Sequence, residues 1–276
     1  ATTANSLTSF DSNGFTLGSD DNSNQNSKTF VGWQWKANGG TTSSNSDGDI
    51  TSTVQANTTA GFSIVTFTGN ATAGQTVGHG LGVKPEFIYA KNRSNGNNWN
   101  CYVEATDNTG DYTLTLNGTG AKSDSFNMWN DTAPTSSVIT LGDRNETNGS
   151  SHNMVFYCFH SVKGYSKFGS YVGNGNDDGT FIYTGFKPAW FLAKRSVGGT
   201  SHWTMLDTTR NPFNLAENYL HANETNAENN NNQKADFLSN GIKLRSSSRH
   251  NNSGSTFIYM AFAEHPFVSS KGVPVT

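Results

Sequence analysis

The chain has 276 residues, 14% of them charged, and a net charge of −3, so neither a nucleic-acid groove nor an anionic membrane surface is expected as a partner. Hydrophobic residues make up only 33%, yet 12% are aromatic and the polar excess is Asn, Ser, Thr and Gly. That balance excludes a highly charged disordered chain and points to a thin-cored, strand-rich protein.

Residues 4–40 form the first of three related segments, because they align without a gap on the C-terminal region at an offset of 227. Phe10 matches Phe237, Asn13 matches Asn240, Leu17 matches Leu244, Phe30 matches Phe257 and Trp35 matches Phe262. Asn-Gly between apolar residues in SNGFTL predicts a hairpin, since both residues tolerate positive φ. The FVGWQW run predicts the last strand of a module whose first half is missing. Such a half-module would leave Phe30, Trp33 and Trp35 bare. The expectation is that they are covered by upstream residues, by the other copies or by another subunit.

Residues 41–60, with GGTTSSNSDGD at 39–49, read as a linker. A complete module is expected over 61–163 and another over 164–268, followed by a tail at 269–276. GFSIVTFTGN alternates as a half-buried strand. GVKPEFIYAK and GFKPAWFLAK follow at an offset of 103, with Pro marking the start of a core strand. A Trp-bearing strand comes next, at 98–104 and 202–208, then irregular stretches at 105–123 and 209–235, and a closing hairpin and aromatic strand. The fold class expected is all-β: tandem antiparallel β-sandwich modules of about 100 residues, jelly-roll-like or immunoglobulin-like, with little helix.

Chemical signals are sparse. Cys101 and Cys158 fall at non-equivalent positions and are expected to be small buried apolar residues, not a disulfide. Asp20, Asp21, Asn22, Asn24 and Asn26 alternate like a calcium loop, but the required Gly and Glu are missing, so a solvated hairpin tip is expected. Asp47 and Asp49 are weaker still. Glu104 and Asp207 align between modules, which argues for a structural role such as capping or pairing with Arg210. Glu264 and His265 have no counterparts in the first copy. The seven histidines show no metal-ligand spacing, so neither a metal nor a cofactor is expected. Asn-x-Ser/Thr sequons are numerous, as this composition makes inevitable. Trp99, Trp203, Trp33 and Trp35 are the obvious candidates for stacking on sugars, but the last-strand aromatics, Trp33 and Trp35 among them, recur at every copy, which favours the core. Tyr112, Trp129 and Tyr219 sit in variable loops and are the expected glycan contacts. No G-x-S-x-G, HExxH or P-loop supports an enzyme.

The runs GFKPAWFLAKRS, SNGFTLGS, TFVGWQWKANGG and TFIYMAFAEHPFV resemble a tandem domain common in virion proteins of marine tailed bacteriophages. The resemblance covers 9–40 and 61–268. It implies a non-enzymatic structural protein on the virion surface, fibre- or adhesin-like, with other virion proteins as partners and no catalytic residues to carry over. A homo-oligomer and host-surface polysaccharide complete the expected partners, with no nucleic acid and no membrane insertion. A capsid decoration or head fibre is the alternative within the virion, and a glycan-degrading tailspike-type enzyme the alternative outside that class. Family members usually begin with a whole module, whereas this chain begins in the middle of one. That start, polar and without a signal peptide, favours a piece of a longer polypeptide over export by another route.

Overall fold

The computed structural model describes residues 3, 5–37, 40–106, 108–231 and 233–266. The tail expected at 269–276 lies outside them. In chain order, β1 (Leu7–Asp11) and β2 (Gly14–Leu17) form a hairpin, followed by the one-turn helix α1 (Asp21–Asn24). Then come β3 (Ser43–Asn45), β4 (Ser52–Asn57), β5 (Phe62–Thr68), β6 (Thr76–Gly78), β7 (Phe87–Asn92), β8 (Asn100–Val103), β9 (Tyr112–Thr115), β10 (Ser123–Asp124), α2 (Phe126–Trp129), β11 (Val138–Thr140), α3 (Asn145–Asn148) and β12 (Asn153–Phe159). The second complete module holds β13 (Ser166–Val172), β14 (Phe181–Tyr183), β15 (Pro188–Val197), β16 (Thr204–Asp207), β17 (Leu220–His221), β18 (Ala235–Leu238), β19 (Gly241–Leu244) and β20 (Thr256–Ala263).

The fold is all-β and its strand ladders are antiparallel. An eight-stranded sheet runs β10-β9-β8-β7-β12-β5-β4-β3, and β6 pairs with β11 over one of its faces. A five-stranded sheet runs β13-β20-β15-β16-β17, with the three-stranded sheet β14-β19-β18 over it. The two large sheets also pack on each other. Phe62, Phe87 and Phe159 from the first module share one core with Phe168, Trp190, Trp203 and Phe262 from the second. Both large sheets are therefore buried on both faces, which is uncommon for antiparallel sheets. This explains why MVFYCF and FIYMAF are nearly continuous apolar runs. Along β12, Met154, Phe156 and Cys158 face the first module's own core, while Phe159 faces the shared one. Along β20, Phe257, Tyr259 and Ala261 face the second module's core, while Ile258, Met260 and Phe262 face the shared one.

The repeats agree in detail. Asn148 and Asn251, 103 residues apart, are both fully buried. Asn148 accepts from Asn70 N at 2.9 Å and donates to the carbonyls of Thr72 and Gly142. Asn251 accepts from Asn174 N at 3.1 Å and donates to the carbonyls of Asn176 and Ser246. Each asparagine ties the late turn of its module to the loop after the module's first strand. Gly69 and Gly173 make the approach possible, since a Cβ on them would lie 2.4 Å and 2.3 Å from the carbonyl oxygens of Gly149 and Asn252. One strand differs. Pro134 stands where the second module has Phe237, and proline cannot donate to a ladder, so β18 has no counterpart in the first module.

Three expectations change. Residues 41–60 are not a linker: β3 and β4 extend the first module's sheet, with Ser52 and Val54 buried. The polar composition of ITSTVQ at 50–55 hides its alternation. FVGWQW does not form a strand. Val31, Trp33, Trp35 and Ala37 still alternate inward, but the segment has no ladder. It lies as a strap across the seam of the two modules, where Trp35 meets Phe159, Trp190 and Phe262 edge-on and Trp33 meets Trp190. The equivalents β12 and β20 are strands because each is flanked by two others, and the first copy lacks both flanks. Third, the strand register places Val103 opposite Phe87 and Asp207 opposite Trp190, so Asp207 corresponds to Val103 and not to Glu104.

Candidate functional site

The three expected glycan contacts are not gathered on one surface. Trp129 is 1% exposed and packs edge-on against Tyr102 and Phe156, because α2 folds the variable loop back over the sheet. Tyr219 is 8% exposed in the second module's core. Neither ring has a free face for a sugar. Tyr112 is half-buried, with Lys122 Nζ 3.7 Å from its ring centroid. Tyr112 opens β9 and Trp129 ends α2, so only Tyr219 lies outside the named elements, and such connecting segments supply part of a core this thin.

Other singled-out residues are structural. Cys101 and Cys158 are free and buried, as expected. Asp20 caps α1 through Asn22 N. Asp207 pairs with Arg210 at 2.7 Å, Glu104 with Lys84 at 2.7 Å and Glu264 with Lys187 at 2.7 Å. His79 and His250 are buried, and burial pushes each imidazole down to about 4. Trp203 is fully buried at the seam and donates from Nε1 to the carbonyl of Thr115 at 2.9 Å, whereas Trp99 is half-buried and stacks on Tyr157.

One cleft of about 480 Å³ opens in the second module, lined by Arg195, Ser201, His202, His221, Gln233 and His250 among others. Thr119 of the first module forms part of its wall. Below it, Lys194 is buried and donates to the carbonyls of Thr119, Gly120 and Arg195 at 3.0, 2.7 and 2.9 Å. Burial, and then the charge of Arg195, bring this amine down to about 8. Lys194 thus fixes the module seam beneath the cleft.

The cleft is built by β16 and β17, whose pairing sets Thr204 opposite His221. Asn223 Oδ1 accepts the backbone N–H of Trp203 at 2.9 Å and holds the following turn in place. His202 and His221 stack with centroids 4.5 Å apart. Glu224 spans them, with Oε1 3.1 Å from His202 Nδ1 and Oε2 2.7 Å from His221 Nδ1. Ligand-capable atoms of these three residues all lie within 4.8 Å of one another. Burial lowers the basicity of His221, while its hydrogen bond to Glu224 opposes the shift; the same bond keeps the Glu224 carboxyl below its usual range. On its other side His221 Nε2 lies 2.9 Å from Gln233 Nε2, and Gln233 is held in turn by Thr204.

The first module has the same frame without this chemistry. Asn117 Oδ1 accepts from Trp99 N at 2.9 Å, as Asn223 does from Trp203. In that frame Asn98 stands for His202, Thr115 for His221 and Gly118 for Glu224. Spacing along the chain conceals the cluster, because its two histidines are brought together only by strand pairing. The one signal that pointed to it is the set of departures between the two copies.

The family described as Domain of unknown function (DUF7483) matches residues 1–266, which takes in the partial copy, the first complete module and all but the last two residues of the second. Neither a curated protein nor a solved structure matches the chain.

Proposed function

Since the chain belongs to the DUF7483 family, whose description carries no activity, we propose, from its resemblance to phage virion modules and the geometry of its cleft, that it is a non-enzymatic virion-surface protein, fibre- or adhesin-like, that holds host-surface polysaccharide in the cleft of the second module. The observation that carries this reading is the difference between the copies. The repeated residues build the frame in both modules, and the cleft's His202, His221 and Glu224 occur in one. Its wall suits a polar, hydroxyl-rich ligand. Arg195 lies over the ring of Phe257 and brings a positive charge to the cleft lining, which favours an acidic sugar. The four stacked layers give a stiff support, and repetition in a homo-oligomer would convert weak single contacts into avidity. Leu7, Phe10 and Phe30, exposed on the first hairpin and strap, support association of copies or attachment to other virion proteins.

The test is incubation of the purified chain with host-surface polysaccharide. Retention of intact polysaccharide, weakened at least tenfold by Arg195→Ala with the fold unchanged, is expected. Shortening of the polysaccharide would replace this reading with the glycan-degrading one, and no retention would remove the adhesive role.

A further inference from the structure

We propose that His202, His221 and Glu224 form a binding site for a first-row divalent cation of the zinc class, with its remaining coordination position open to the cleft. The donor set is two imidazoles and a carboxylate, which suits zinc, cobalt or nickel better than the all-oxygen preference of calcium or magnesium. Tetrahedral zinc with bonds of ~2.1 Å sets its donors roughly 3.4 Å apart. Glu224 oxygens lie closer than that, 3.1 and 2.7 Å from the two Nδ1 atoms, and the ligand atoms of the three residues lie within 4.8 Å of one another, so a slight spreading of the side chains would seat the ion.

A second observation comes from proton placement. Asn223 Oδ1 accepts from Trp203 N, so its Nδ2 must be the atom directed at His202 Nδ1, 2.9 Å away. An imidazole nitrogen that accepts from this amide carries no proton. Glu224 Oε1 nevertheless lies 3.1 Å from the same nitrogen. Two lone-pair groups thus face each other with no hydrogen between them, an arrangement that a cation relieves by taking both as ligands. The cation competes with the Asn223 amide for the nitrogen, which makes the site weaker than a dedicated zinc-finger centre. Behind His221, Gln233 Oε1 is taken by Thr204, so its Nε2 donates to His221 Nε2 and leaves that ring's proton on Nδ1, toward Glu224; a cation must displace this proton, which weakens the site further. The site stands independently of polysaccharide binding: metal affinity is measured with no glycan present, so either idea can fail alone.

Titration of the full chain with Co2+, followed by its visible absorption, and then displacement by Zn2+ tests the site. One equivalent of Co2+ with the intense spectrum of a four-coordinate centre is expected. His202→Asn, which copies the first module's Asn98 and keeps an acceptor for Asn223, should weaken binding at least tenfold. Glu224→Gln, on a half-exposed turn, should do the same and serves if the first variant fails to fold. No stoichiometric cobalt binding, or variants that bind as tightly as the native chain, would overturn the proposal.

Discussion

The first copy and the last contain the same pattern and end in different structures. Phe10 is 80% exposed and Phe237, its match, 4% exposed. Phe30 lies open on the strap, whereas Phe257 is buried in the middle of a sheet. Asn24, which aligns with Asn251, donates only to Gly18 O from its amide, since the first-strand loop that would receive it is absent. The difference teaches that the apolar alternation specifies which side chains turn inward but not whether the backbone joins a ladder. Unpaired backbone groups remain solvated on the strap, and two flanking strands are what convert the same pattern into a central strand.

The largest test of this contrast is a paired truncation. Phe237→Ala should cost about 3–5 kcal/mol as a buried cavity opens, while Phe10→Ala should stay within about 0.5 kcal/mol. Urea midpoints of the two variants decide it, and equal losses would show that the first hairpin is covered in solution. Acid comes next. His79 and His250 each have a folded value near 4 against an ordinary 6.5, so the unfolded chain takes up protons first as pH falls. Stability is therefore complete above 6.5 and declines toward 4, by roughly 3 kcal/mol for each imidazole. The first copy has Ser23 where the last has His250, so this loss belongs to the complete modules. Denaturation at pH 7 and pH 4.5 measures it, and a flat profile would mean that the buried rings open to solvent before the modules unfold.

The asparagine ties give a smaller difference. Asn148→Ala and Asn251→Ala should each cost about 2 kcal/mol by leaving buried backbone groups unpaired. Asn24→Ala should cost less than about 0.5 kcal/mol. Thermal melts of the three variants rank them. Smallest is the strap itself. Trp35→Ala removes a half-buried ring worth roughly 1–2 kcal/mol, and its clearer signature is faster proteolytic cutting near residues 30–40, with the two modules left intact.

Much of the fold was legible in the residues. The repeat offsets located β5, β7, β8, β12 and their partners β13, β15, β16 and β20, because alternation and Pro85/Pro188 mark buried strands directly. Both hairpins were legible, but their turns fall at Ser12-Asn13 and Ser239-Asn240, with Gly14 and Gly241 opening the second strands and without the positive φ that Asn-Gly suggests. β3 and β4 were not, since Ser and Thr in a polar stretch pair only when a neighbouring sheet edge offers them acceptors. The candidate site was hardly legible at all. Trp129 and Tyr219 looked like surface residues because their loops vary, and burial of a loop depends on what it folds against.

What the sequence determined by itself was the module: its all-β class, its strand order along the chain and the inward-facing set of residues, all local consequences of alternation and turn preference. Tertiary structure decided the rest. Packing of one large sheet on the other gave both a second buried face, turned FVGWQW into a strap, and set β16 against β17 so that His202, His221 and Glu224 meet. These are contacts between residues far apart in the chain, and no local preference encodes which surfaces of two stable modules will exclude water together.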